Sequence, residues 1–115
     1  MKKNNTKPIE TLTIEFVDGS NRVLKFGALS MFILDDEFEG FIKIANDAKT
    51  KPFLAGAKLI YAGAKAIEIE KNGDSTFTYN DAKRLIVNMT VEDIAEIFEF
   101  ATKTMGEQKP QQKKK

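Results

Sequence analysis

The sequence predicts an α+β domain, an N-terminal β-hairpin packed on a small, mainly α-helical bundle of about four helices. Three observations predict it. Apolar residues alternate with period two on both sides of Asp18-Gly19, they recur every three or four residues from Ala28 onward, and two Thr-x-x-Asp signatures open the last third. With 115 residues the chain is one domain's worth, long enough to bury a core without a disulfide or a structural metal. The expected organisation is a flexible basic N-terminus over 1–8, a single α+β helical domain over 9–105, and a disordered Lys/Gln-rich tail over 106–115.

Each element follows from its own residues. On 11–17, Leu12, Ile14 and Phe16 fall on one side and Thr11, Thr13, Glu15 and Val17 on the other, the alternation of a half-buried strand. Asp18-Gly19 supplies the positive φ angles of a tight turn, and beyond it Leu24 and Phe26 are set against Arg22 and Lys25. A lone hairpin is marginal in water, so its apolar face requires a second layer. Gly27 breaks the strand, and Ala28, Leu29, Phe32 and Ile33 begin a helical spacing that runs towards Phe38. Gly40 marks a break between two short helices, after which Phe41, Ile42 and Ile44 continue the pattern. Pro52, in a first-turn position with Thr50 as candidate cap, opens a helix over 53–67, and Asn72-Gly73 ends the segment. Thr78 with Asp81 and Thr90 with Asp93 read as capping boxes with a shorter acid than the usual Glu, starting helices over 79–89 and 91–105.

Composition narrows the chemistry. Cysteine, histidine and tryptophan are absent, which excludes a Ser-His-Asp triad, a Cys-His pair, a thiolate zinc site and imidazole acid–base catalysis. The chain is therefore read as no enzyme, with no cofactor and no metal. Its formal charge of +1 conceals unlike parts: between Pro8 and Gly106 there are 11 basic and 16 acidic residues, a body of net charge −5, and the remaining lysines lie at the two ends. An acidic body argues against nucleic-acid binding, whose affinity comes mainly from a basic surface. The first ten residues carry no apolar run of signal-peptide length, and the most apolar stretch, 53–69, is interrupted by Lys58 and Lys65 and is short for a membrane span. A soluble cytoplasmic protein is expected.

Three further features invite a chemical reading. Asp35, Asp36, Glu37 and Glu39 crowd together, but neighbouring carboxylates on a helix point in different directions and no Asp-x-Asp-x-Asp-Gly loop is present, so a solvated face is expected. Ala55-Gly56-Ala57-Lys58 recurs seven residues later as Ala62-Gly63-Ala64-Lys65, nearly on the same helix face. Each glycine costs about 1 kcal/mol of helix stability relative to alanine, which implies another element packing closely there. The repeat is no phosphate loop, because Lys58 and Lys65 are followed by Leu59 and Ala66 where a Walker loop has Ser or Thr. The last helix is strongly amphipathic: Val91, Ile94, Phe98, Ala101 and Met105 form a stripe widened by Ile97 and Phe100, opposite Glu92, Glu96 and Glu99.

The order of these parts resembles a known family. A short hairpin leading into Phe26-Gly27-Ala28-Leu29, a central helix reading Leu54-Ala55-Gly56-Ala57-Lys58-Leu59-Ile60-Tyr61-Ala62-Gly63, a Thr-led helix from Thr78 and a closing amphipathic helix from Thr90 are similar to the tail assembly chaperones of long-tailed, siphovirus-like bacteriophages and prophages. The likeness covers 9–105. It implies a non-enzymatic protein of the bacterial host cytoplasm that binds the tape measure protein, shields its hydrophobic helices, helps recruit tail tube subunits and is absent from the mature virion. It also implies a longer form made by ribosomal frameshifting near the gene's end, for which Lys113-Lys114-Lys115 is a suggestive site. A client-holding role suits an inert acidic body with apolar helical grooves. The contact candidates are Phe53, Ile60 and Tyr61 on the central helix and Ile94 and Phe98 on the last. The paired small-residue helix and the hairpin edge would both support a homo-oligomer. The alternative is a generic protein-binding adaptor or regulatory module encoded by a mobile element.

Overall fold

In the computed structural model, which describes residues 11–15 and 19–106, the two strands pair antiparallel. β1 (Thr11–Glu15) and β2 (Asn21–Lys25) set Leu12 opposite Leu24 and Thr13 opposite Val23. The alternation sorts β1 as predicted, with Ile14 buried and Thr11, Thr13 and Glu15 exposed, and Leu24 and, just past β2, Phe26 are buried. Arg22 and Lys25 do not form an exposed opposite face: both are half-buried, and Arg22, two residues from Leu24, shares its face. Phe16 and the Asp18 of the turn lie outside the described residues, as do the segments 1–8 and 107–115 expected to be basic and disordered.

Five helices follow among the described residues, the two on either side of Gly40 and three more from Pro52, Tyr79 and Val91. α1 (Ala28–Phe38) starts immediately after Gly27, where the Ser30 hydroxyl donates to the Lys25 carbonyl and ties the helix to the end of β2. Gly40 does separate α1 from α2 (Phe41–Asp47), and it does so through a left-handed turn. Glu39 has φ 73° and Gly40 φ 102°, and the Gly40 N–H donates to the Leu34 carbonyl at 2.9 Å. That turn redirects the chain enough to make α2 a separate element.

α3 (Pro52–Asn72) is the longest helix and continues five residues past the predicted end at 67. Gly73, at φ 81°, stops it by donating its N–H to the Ile69 carbonyl at 2.7 Å. Its N-cap is Lys51 and not Thr50, because Pro52 occupies the first helical position; the Thr50 hydroxyl donates instead to the Asp47 carbonyl. α4 (Tyr79–Ile86) is shorter than the predicted 79–89. The N–H groups of Asn88 and Met89 turn back to Leu85 and Ile86, a tighter i to i−3 pattern that ends the α-helix. Both capping boxes form: Thr78 and Asp81 exchange bonds of 2.9 and 3.1 Å at the start of α4, and Thr90 and Asp93 exchange bonds of 3.0 and 3.1 Å at the start of α5 (Val91–Gly106).

The whole is an α+β domain, mainly helical, arranged around α3. All six residues from Leu59 to Ala64 are buried, which on a helix of 3.6 residues per turn means enclosure on every side. β2, α1, α2, α4 and α5 all pack against it. The hairpin is fixed to the far half of α3 by ion pairs from Arg22 to Glu68 at 3.1 Å and from Lys25 to Glu70 at 2.7 Å, and the Arg22 guanidinium lies 4.5 Å over the Phe77 ring.

Candidate protein-binding surfaces

The central position of α3 reassigns most of the predicted contact residues. Ile60, Tyr61 and Ile94 belong to the hydrophobic core, with exposures of 0%, 6% and 2%. They are therefore not surface contacts in this fold: Ile60 and Tyr61 lie on a helix enclosed all round, and Ile94 of α5 packs against Gly56 of α3. Phe98 is half-buried, its ring tilted against Phe41 at 6.2 Å. Of the five candidates Phe53 alone stands exposed, at 41%.

The small-residue repeat is likewise used within the molecule, and by different neighbours in its two copies. A Cβ on Gly56 would meet Ile86 of α4 and Ile94 of α5 at 3.1 Å, whereas a Cβ on Gly63 would meet the Leu24 Cβ at 2.8 Å and the Phe26 ring at 3.2 Å. The element that approaches Gly63 is thus the hairpin and not a helix. Of the two lysines that close the repeats, Lys58 stands 5.4 Å from the Phe38 ring, and Lys65 joins a polar network.

In that network the Tyr61 hydroxyl donates to the Glu37 carboxylate at 2.7 Å, and the Lys65 ammonium donates to the same carboxylate at 2.9 Å and to the Tyr61 oxygen at 2.8 Å. Burial pushes the Glu37 carboxyl up, but the hydrogen bonds from Lys65 and Tyr61 and the Lys65 charge outweigh it and hold the group below its ordinary value. Lys65 is raised by its bonds to Tyr61 and Glu37, and Tyr61 is raised chiefly by burial. These shifts all move away from neutrality, so the trio rests as a carboxylate, an ammonium and a neutral phenol. Its bonds join Glu37 of α1 to Tyr61 and Lys65 of α3, a polar pin between the two helices. The remaining acids of the run, Asp35, Asp36 and Glu39, are exposed, and no group of three or more acidic side chains among the described residues is placed to hold a metal ion.

Phe32 on α1 and Ile42 on α2 are exposed apolar residues, and two further surfaces have apolar character. The first lies at the N-terminal end of α3. Because Gly56 touches Ile86 and Ile94, the first turn of α3 meets the end of α4 and the start of α5. Phe53 and Leu54 on that turn, Val87 just after Ile86, and Val91 one turn before Ile94 are brought to one end of the molecule, and all four are exposed, Val87 by 74%. Single exposed apolar residues are ordinary; four at the same end of the molecule are a candidate contact surface.

The second is a groove of about 610 Å³ between β1 and α5. Four consecutive residues, Leu12 to Glu15, line it. Successive strand side chains point to opposite faces, so a wall made of four in a row runs along the strand's edge. On the other side the lining positions Asp93, Glu96, Ile97, Glu99, Phe100 and Lys103 return turn by turn, one broad face along most of α5. Among the described residues β1 has β2 as its only strand neighbour. A smaller hollow of about 360 Å³ beside Phe77 has its charged walls already paired, Arg22 with Glu68 and Arg84 with Asp81.

Sequence periodicity did not reveal the groove, since its walls are separated by most of the chain; the alternating strand over 11–15 and the acidic stripe on α5 are its sequence traces. No helix among the described residues is long and apolar enough to cross a membrane. No family model matches the chain, and neither does any curated protein or solved structure.

Proposed function

We propose that this protein is a tail assembly chaperone of a long-tailed bacteriophage or prophage, which binds the tape measure protein in the host cytoplasm, helps recruit tail tube subunits and is left out of the mature virion. The observation that carries the reading is the exposed apolar end formed by Phe53, Leu54, Val87 and Val91. A protein that holds a long amphipathic client needs an apolar seat on a stable body, and four large apolar side chains on three converging helix termini offer one. The resemblance of the hairpin, the small-residue central helix and the two Thr-led helices supplies the family. The inward-facing Ile60, Tyr61 and Ile94 then act as the scaffold behind the seat, with Phe53 as the client contact among the original candidates.

The test is co-expression with the neighbouring open reading frames. A long, coiled-coil-rich gene downstream whose product becomes soluble and co-purifies with this chain supports the reading, provided Phe53→Glu with Leu54→Glu releases the client while leaving the chaperone folded. Absence of such a gene, or capture unaffected by the double substitution, sinks it and leaves the adaptor alternative.

A further inference from the structure

We infer that the groove between β1 and α5 is a strand-addition site for an extended segment of a partner protein in which apolar and basic residues alternate. The inference is independent of the chaperone reading and concerns a surface distinct from the apolar end of α3.

The shape specifies an extended occupant. Four residues of β1 span about 13 Å at 3.3 Å each. The lining face of α5 from Asp93 to Lys103 spans about 15 Å at 1.5 Å per residue. The two walls match in length and enclose a slot suited to four or five extended residues. A strand with one neighbour aims the N–H and C=O groups of alternate residues away from it, and here they border the slot. Main-chain pairing with such an edge supplies affinity without regard to sequence, and the walls supply selectivity.

The walls specify the chemistry. Ile14 and Ile97 are buried at the base, with Leu12, Met89 and Phe100 half-buried around them, which suits apolar side chains on one face of the incoming strand. Glu15, Asp93, Glu96 and Glu99 rim the slot against one cation among the described lining residues, Lys103, which suits lysine or arginine on the other face. The other occupants fit less well. The chain's own residues 107–115 carry lysines but no apolar side chain, and Pro110 has no N–H to give. A second copy would bring another acidic rim, Glu15 included, against the first.

The probe is a synthetic nine-residue peptide alternating lysine and valine, titrated into the full 115-residue chain and followed by amide chemical shifts and calorimetry. We expect shifts concentrated at residues 12–15 and 93–103. Glu96→Lys with Glu99→Lys should weaken binding at least tenfold, and Asp35→Lys with Asp36→Lys, the same charge change on α1, should leave it within twofold. The matched glutamate and valine peptide should not bind. N-methylating every second peptide nitrogen should abolish binding in one phase and spare it in the other, because only alternate N–H groups face β1. Shifts elsewhere, equal loss with both charge reversals, or indifference to N-methylation in both phases would overturn the proposal. Binding seen only after removal of 107–115 would overturn it in favour of the chain's own tail, and dispersal of a homodimer by the peptide would overturn it in favour of a second copy.

Discussion

Gly63 and Leu24 are packed so closely that a Cβ on the glycine would stand 2.8 Å from the Cβ of the leucine. That contact is made by the root of the leucine side chain, which cannot swing aside, and the Phe26 ring closes the same gap. Gly63→Ala is therefore expected to push the hairpin off α3 and to cost roughly 1–3 kcal/mol, the usual range for overpacking, despite the gain in helix propensity. Gly56→Ala meets isoleucine methyl groups at 3.1 Å instead and should fall close to neutral, its propensity gain of about 1 kcal/mol offsetting the crowding. Urea midpoints of the two variants, measured side by side, separate the two halves of the repeat.

The Glu37 network makes stability depend on pH on the acid side. The folded carboxyl titrates below its ordinary value of 4.5, so its contribution is complete above that value and is lost as the pH falls through the lower folded one. Glu37→Gln should be less stable than the parent at neutral pH, and the difference should vanish on acidification below both values. Denaturant melts across that range check the sign; a gap that persists in acid would mean the carboxylate charge is not what Lys65 and Tyr61 hold.

Glu39 occupies a left-handed conformation that residues with a Cβ adopt at a cost of about 1–2 kcal/mol. Glu39→Gly should raise thermal stability, by about 1 kcal/mol after the glycine's greater freedom in the unfolded chain is subtracted. The exposed side chain makes the substitution free of packing loss.

Thr78 and Thr90 each satisfy a backbone N–H at a helix start. Thr78→Ala and Thr90→Ala should each lose about 1 kcal/mol, and serine at either position should recover most of it. Helix content by circular dichroism during thermal melts is the measurement.

Core and surface roles separate at Tyr61 and Phe53. Tyr61→Ala removes a buried ring packed edge-on against Phe38 and Tyr79, and should cost about 3–5 kcal/mol. Phe53→Ala should cost under about 1 kcal/mol, in keeping with its exposure, and show its effect in client capture.

Local signals were the legible ones. Gly27, Gly40, Pro52, Asn72-Gly73 and the two Thr-x-x-Asp boxes each act within a few residues of themselves, and each punctuates the chain near where the pattern placed it. The misreadings concern direction and reach. Periodicity identified Ile60 and Tyr61 as apolar helix positions but could not tell an outward stripe from an inward one, because the middle of α3 is buried all round; on the amphipathic α5, Ile94 falls on the stripe turned to the core. The Glu37–Tyr61–Lys65 pin and the slot between β1 and α5 join residues from distant parts of the chain, and only the completed packing brings them together.

The enclosure of α3 also constrains how the molecule comes into being. During synthesis the hairpin, α1 and α2 emerge before α3, but the side of α3 that holds Gly56 has no cover until Ile86 and Ile94 have been made. An intermediate lacking the last two helices would leave the Gly56 side of α3 open to water, so a fragment that ends before α4 should not be a stable stopping point. Folding and unfolding should then be a single concerted event, with the amides of α3 exchanging with solvent only when the entire molecule opens.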